Sequence, residues 1–172
     1  MSNYQEQLQQ LTDFENHYQY DAQYLKDMLT LAYSSYEKFA GFQPMASHRD
    51  LLPLEAFWVA KVAGMQTEDC GGCLELTIKM AKEQGVSSDI LNAALKGGQA
   101  LPEALQVVYQ YARQVAGQGQ VDQEVMDAIS ESFSKGQLLE FGVIIAATKV
   151  FPTVKRAVGM KEACALISVD AA

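Results

Sequence analysis

Residues 54–73 read LEAFWVAKVAGMQTEDCGGC, and the fold follows from how this stretch divides. Pro53 suits the first turn of a helix. Behind it, Leu54, Phe57, Trp58, Val59, Val62 and Ala63 surround the helix axis, and only Glu55 and Lys61 carry charge before Met65. A helix this apolar has to be buried. Gly64 to Asp69 reads as a break, and Cys70 and Cys73 then open a second helix over about 70–84 that stops at Gly85, a residue type favoured just past helix ends.

The same periodicity continues in both directions. In 21–40, Leu25, Met28, Leu29, Ala32, Tyr36 and Phe39 recur at steps of three and four behind Asp21, a plausible N-cap. Ser87 caps a short helix through Ile90, Leu91 and Leu95 that ends at Gly97-Gly98, and Pro102 opens the next, with Leu105, Val108, Tyr111, Ala112 and Val115 on one face. After the loop 117–119, Asp122 caps a helix bearing Val125, Met126, Ile129 and Phe133. Gly136 separates it from an apolar helix over 137–151, which Pro152 is expected to stop, leaving a last helical segment over 153–168. No stretch alternates strictly with β-branched enrichment. The sequence therefore predicts an all-α fold of seven to nine helices in a single domain, 1–172, with 1–49 a helical N-terminal extension. Six of the eight tyrosines fall in the first 36 residues, where they read as core and interface residues.

Composition narrows the function. Charged residues are 20% and hydrophobic residues 49% of the chain, so a packed core is expected rather than disorder. A net charge of −8 without a basic run argues against nucleic acid and anionic membranes as partners. The 137–151 run carries Glu140 and Lys149 and is too short to span a bilayer. No secretory signal is apparent at the start, which points to a cytoplasmic protein. In a reducing compartment a close cysteine pair is catalytic or metal-binding more often than a structural staple.

Cys70-Gly-Gly-Cys73 puts the second sulfur about 300° around a helix from the first, so both lie on one face, one turn apart. A disulfide can close there if the first turn distorts slightly. The unpaired N–H groups of a helix start favour a thiolate, whereas Glu68 and Asp69, expected to cap the helix, oppose one. A nearby carboxylate could instead move protons to and from sulfur. The alternative is two small packed cysteines. A zinc site would need two further ligands, and only Cys164, His17 and His48 are available, none as a second close pair; no metal or other cofactor is implied. Glu55 is either a first-turn residue favoured by the helix dipole or a buried proton carrier. His48 precedes the Pro53 helix and could fold toward the cysteines. Cys164 reads as a packed small residue.

The order of these features resembles the AhpD-like alkylhydroperoxidase and carboxymuconolactone decarboxylase superfamily. Glu55 on an apolar helix is followed by Cys70-Gly-Gly-Cys73, then by Gly-Val-Ser at 85–87, LPEALQVVYQYARQVA at 101–116, Val121-Asp122 and LLEFGVIIAATKVF at 138–151. The resemblance covers about residues 50–152. It implies an all-α homo-oligomer, a trimer or hexamer, that reduces hydroperoxides or a partner disulfide, such as that of a peroxiredoxin. It implies Cys73 as the attacking sulfur and Cys70 as the resolving one, although the helix-start argument alone favours Cys70, so the order stays open. It maps the family's relay glutamate onto Glu55. Four residues after the second cysteine, where the family commonly has histidine, this chain has Thr77, which does not titrate near neutrality; Glu68, Glu55 or His48 would have to take that role. Two other functions use the same residues: a decarboxylase-type lyase, which needs no cysteine pair, and a non-enzymatic oligomeric module with redox-sensing cysteines.

Overall fold

The computed structural model describes residues 2–68, 70–117 and 119–160. Asp69, Cys164 and the part of the expected final segment beyond Met160 lie outside them. Among the described residues the secondary structure is entirely helical, with nine helices of eight residues or more and one single-turn helix. They are α1 (Ser2–Tyr18), α2 (Gln23–Leu31), α3 (Tyr33–Ala40), the short α4 (Gln43–Ser47), α5 (Leu54–Met65), α6 (Gly71–Glu83), α7 (Ser88–Leu95), α8 (Glu103–Ala116), α9 (Gln123–Ser132) and α10 (Lys135–Ala157).

α5 is the axis of the main core. Every residue from Ala56 to Ala60 and from Val62 to Met65 is buried, because α6, α7, α8 and α10 pack around it. This is the burial that a helix with two charges requires. It lies close against α10 at Gly64, where an added Cβ would sit 3.0 Å from the Thr148 hydroxyl. Beyond the helix, Gln66 ties this end to its neighbours: its side-chain amide donates to the Leu95 carbonyl (3.1 Å) and its oxygen accepts from the Tyr109 hydroxyl (2.7 Å).

The N-terminal helices form a second cluster. Leu11, Tyr20, Ala22, Tyr24, Leu25, Leu29 and Tyr36 pack together, with Leu76 of α6 and Val154 of α10 against them. The extension thus lies on one face of α6 and on the last turns of α10.

Several boundaries differ from those the sequence suggests. The 21–40 stretch is two helices, broken at Ala32, whose backbone leaves the helical region (φ −144°, ψ 56°) so that α3 folds back on α2. The Asp21 carboxylate does accept from the Gln23 N–H, at 2.9 Å. Gly136 lies inside the first turn of α10; the boundary is Ser134, which forms a reciprocal capping box with Gln137. Asp122 precedes α9 without capping it through its side chain, which accepts instead from the Gln114 amide.

Pro152 does not stop α10. Proline removes one helical hydrogen bond and crowds the preceding turn, but the turn beyond it is held from outside. Val154 packs on the N-terminal cluster, the Lys155 ammonium lies over the rings of Tyr20 and Tyr24, and Arg156 bonds Glu68. At 23 residues α10 is longer than the expected apolar run, and by length and composition alone it could cross a membrane. In this fold it packs on α5, α4 and α8, with Phe141, Ile144, Ile145 and Ala147 in the core.

Candidate functional site

Cys70 and Cys73 are joined by a disulfide, their Cα atoms 5.4 Å apart. Cys70 is the residue before α6 and Cys73 lies in its first turn, with Gly71 and Gly72 between them. The chain enters through a tight turn in which the Cys70 N–H donates to the Glu68 carbonyl (2.8 Å), while the Cys70 carbonyl accepts from the Leu74 N–H (3.1 Å) and starts the helical ladder. Two residues without side chains let the first turn wind closely enough for the sulfurs to meet.

The pair is closed in. Cys70 is 6% and Cys73 3% exposed, packed with Met65 and Leu74. From the N-terminal side comes Tyr20, whose hydroxyl lies 3.9 Å from the Cys73 sulfur and donates to the Tyr24 hydroxyl at 3.4 Å. The connector that carries Tyr20 is anchored along α6: Lys79 donates to the Tyr18 carbonyl (2.7 Å), and the Tyr18 hydroxyl and the His17 ring both bond Glu83. Burial and the Glu83 carboxylate push the Tyr18 phenol up to about 12. Burial does the same to Tyr24, also to about 12, against the lowering effect of its bond to Tyr20. A surface cleft of about 350 Å³ lies at this far end of α6, lined by His17, Tyr18, Gln19, Lys79, Lys82 and Glu83. The cysteines are not among its lining residues.

Glu68 does not cap α6. Its side chain, 9% exposed, is held by Lys149 at 3.2 Å and Arg156 at 2.8 Å, both on α10. Two cations around this carboxylate offset its charge; with Asp69, which directly precedes Cys70 in the chain, the four formal charges sum to zero.

The other expected residues sit elsewhere. Glu55 is exposed on the first turn of α5, and the helix then rises about 15 Å before it reaches the cysteine end. His48 is exposed where α4 ends, and its charge acts on Glu140 near the start of α10. Glu68 meets that helix at its other end. Thr77 is buried beneath the pair, but its hydroxyl donates to the Cys73 carbonyl at 2.9 Å. The structure therefore gathers Cys70, Cys73, Glu68 and Thr77, and leaves Glu55 and His48 apart from them. Among the described residues, no three His, Cys, Asp or Glu side chains gather to hold a metal ion.

Tyr20 is the contact that sequence reasoning missed. Its crowding with other tyrosines was the available signal, but nothing in the spacing links residue 20 to residue 73.

No family model, curated protein or solved structure matches the chain. The resemblance to AhpD-like proteins thus rests on the order of its motifs, and the site has to be argued from its own chemistry.

Proposed function

We propose that the protein is a dithiol oxidoreductase of AhpD-like type, cycling Cys70 and Cys73 between disulfide and dithiol. The observation that carries this reading is the bonded pair at a helix start, beside a carboxylate neutralised by two cations. Helix N–H groups favour a thiolate once the bond opens, and the two cations on Glu68 remove one charge that would oppose it.

Two substrates fit, a hydroperoxide and a partner protein's disulfide, that of a peroxiredoxin included. With a hydroperoxide, one thiolate attacks the outer oxygen, the O–O bond breaks, and the alcohol leaves with a proton. The resulting sulfenic acid is attacked by the second sulfur, water departs, and the disulfide forms. Two electrons pass from the sulfurs to the peroxide. A partner dithiol restores the pair by thiol–disulfide exchange, as expected in a reducing cytoplasm. Glu68 sets the local charge rather than ferrying protons, since its carboxylate is committed to Lys149 and Arg156. Thr77 supports the turn through the Cys73 carbonyl.

Burial favours one competing reading. Sulfurs this enclosed suit a redox-sensing or structural disulfide in an oligomeric module. Titration of accessible thiols separates the two. The protein is reduced, then given mild peroxide, intact and as Cys70→Ser and Cys73→Ser. Rapid, reversible loss of two thiols that requires both residues supports the oxidoreductase. A disulfide that resists reduction in the folded protein, or thiols that stay inert to peroxide, supports the module.

A further inference from the structure

We infer that Tyr20 is a catalytic residue of this site, its hydroxyl donating a hydrogen bond to the Cys73 thiolate whenever the disulfide opens. The inference rests on the dithiol reading above and adds a group supplied by the N-terminal extension.

The argument starts from the number of protons available. A bonded sulfur has none to give, so any hydrogen bond between Tyr20 and Cys73, 3.9 Å apart, has to run from the hydroxyl to the sulfur. Tyr20 has one hydroxyl proton, and in the disulfide form it serves the Tyr24 oxygen at 3.4 Å. That arrangement has a second state. When a partner thiolate attacks Cys70, the S–S bond breaks and Cys73 departs with the electron pair as a thiolate. An anion is the better acceptor, so the Tyr20 hydroxyl turns to it. The Tyr24 hydroxyl, freed of its incoming bond, donates back to Tyr20. No proton leaves either ring. A second partner thiol then displaces the partner sulfur from Cys70, and the partner dithiol is oxidised as the pair is reduced.

The surroundings suit a donor rather than a base. Burial holds the Tyr24 phenol protonated to about 12, so it remains able to donate at any physiological pH. The Lys155 ammonium lies 4.8 Å from the Tyr20 ring centre and 5.8 Å from that of Tyr24, a placement that favours negative charge nearby. Other charged groups near the pair are Asp21, next to Tyr20 in the chain, Asp69, next to Cys70, and Glu68 with Lys149 and Arg156. The carboxylates oppose a thiolate, and the cations offset them. Tyr20 is in hydrogen-bonding contact with the Cys73 sulfur.

The test measures the thiolate directly. In a Cys70→Ser, Cys164→Ser protein the only thiol is Cys73, and its alkylation rate by iodoacetamide across pH gives the thiol's titration. Tyr20→Phe keeps the ring and removes the donor. It should leave about tenfold less thiolate at neutral pH, the size expected for a hydrogen bond to an anion. Tyr24→Phe removes only the supporting hydroxyl and should give a change in the same direction of about threefold. A merely structural role would alter melting without moving the titration. An unchanged titration in both variants, with the wild-type pair still cycling, overturns the role of Tyr20 alone. A wild-type pair that does not cycle overturns the dithiol reading and this assignment with it.

Discussion

Arg156, in the last turn of α10, donates to the Glu68 carboxylate across 2.8 Å, tying the end of the chain's longest helix to the residue two positions before Cys70. The carboxylate is nearly buried, while the cations are 45% and 40% exposed. Water therefore screens much of the attraction on the cation side, and the cost of breaking the pair falls chiefly on the stranded carboxylate. Arg156→Ala should destabilise the protein by about 1 kcal/mol, and the pair Arg156→Ala, Lys149→Ala by about 2 kcal/mol. Adding Glu68→Gln to the double variant should recover part of the loss, because no buried charge is then left alone. Urea unfolding of the four proteins checks this; a triple variant no more stable than the double one would refute the coupling.

Glu140 holds the middle of the loop between α4 and α5 to α10. Its two oxygens accept from the backbone N–H groups of Asp50 (2.9 Å) and Leu51 (2.8 Å). Burial pushes its carboxyl up, but those N–H groups, with that of Leu52 and the nearby His48 charge, hold it below the usual carboxylate range. A carboxyl held low in the folded state adds stability that is fully present above its unfolded value, near 4.5, and is lost as pH falls through its folded value. Glu140→Gln should cost about 1.5–3 kcal/mol at neutral pH. The gap to wild type should narrow on acidification below pH 4.5, where the native side chain also becomes neutral. A gap independent of pH would show that the loop is held by other means.

How much of this was legible beforehand depended on whether a residue's role was local. The apolar girdle of α5 announced a buried helix, and Ser87, Gly85 and Pro102 marked boundaries because caps and breakers act within one turn. The cysteine spacing alone allowed the bond. What failed to show was set by distant partners. Pro152 reads as a stop until Val154, Lys155 and Arg156 are seen held by the N-terminal cluster, by the Tyr20 and Tyr24 rings and by Glu68. Ala32 breaks a helix with no glycine or proline to signal it. Glu55 reads equally as a first-turn residue or a buried proton carrier, and only the fold decides for the first, because the first turn of α5 projects into solvent. Glu68 looked like a cap because its cations lie 81 and 88 residues away. Tyr20 was one tyrosine among six.

Two glycines with similar backbones should respond differently to alanine. Gly85 and Gly98 both adopt left-handed conformations, with φ of 92° and 80°. A Cβ at Gly85 would meet nothing within 4 Å, so only backbone strain is added, about 1 kcal/mol. At Gly98 the same atom would sit 2.6 Å from the Tyr109 ring, whose hydroxyl is fixed on Gln66. The ring cannot swing aside without giving up that bond, so Gly98→Ala should cost about 3 kcal/mol. Thermal melts should place Gly98→Ala well below Gly85→Ala, by about 4–8 °C for a chain of this size. Equal melting temperatures would mean that Tyr109 is free to move.

Lys61 is the charge that α5 partly buries, and it makes stability depend on alkaline pH in an unusual direction. Its ammonium donates to the Ala46 carbonyl at 3.0 Å and sits over the Phe57 and Trp58 rings, 5.1 and 4.7 Å from their centres. Burial nevertheless lowers it from 10.5 to about 8. Between those values the unfolded chain holds a proton that the folded one has released, so stability rises with pH across that window. A shift of this size corresponds to about 3 kcal/mol, as an order of magnitude. Tyr18 and Tyr24 act oppositely. Both are raised from 10.0 to about 12, so the stability they add is complete below pH 10 and is lost as pH rises toward 12. Wild type should therefore grow more resistant to urea from pH 8 to about 10 and weaken beyond it. Lys61→Met should abolish the rise while keeping the fall. If that variant still gained stability between pH 8 and 10, the proton would have to come from a group other than Lys61.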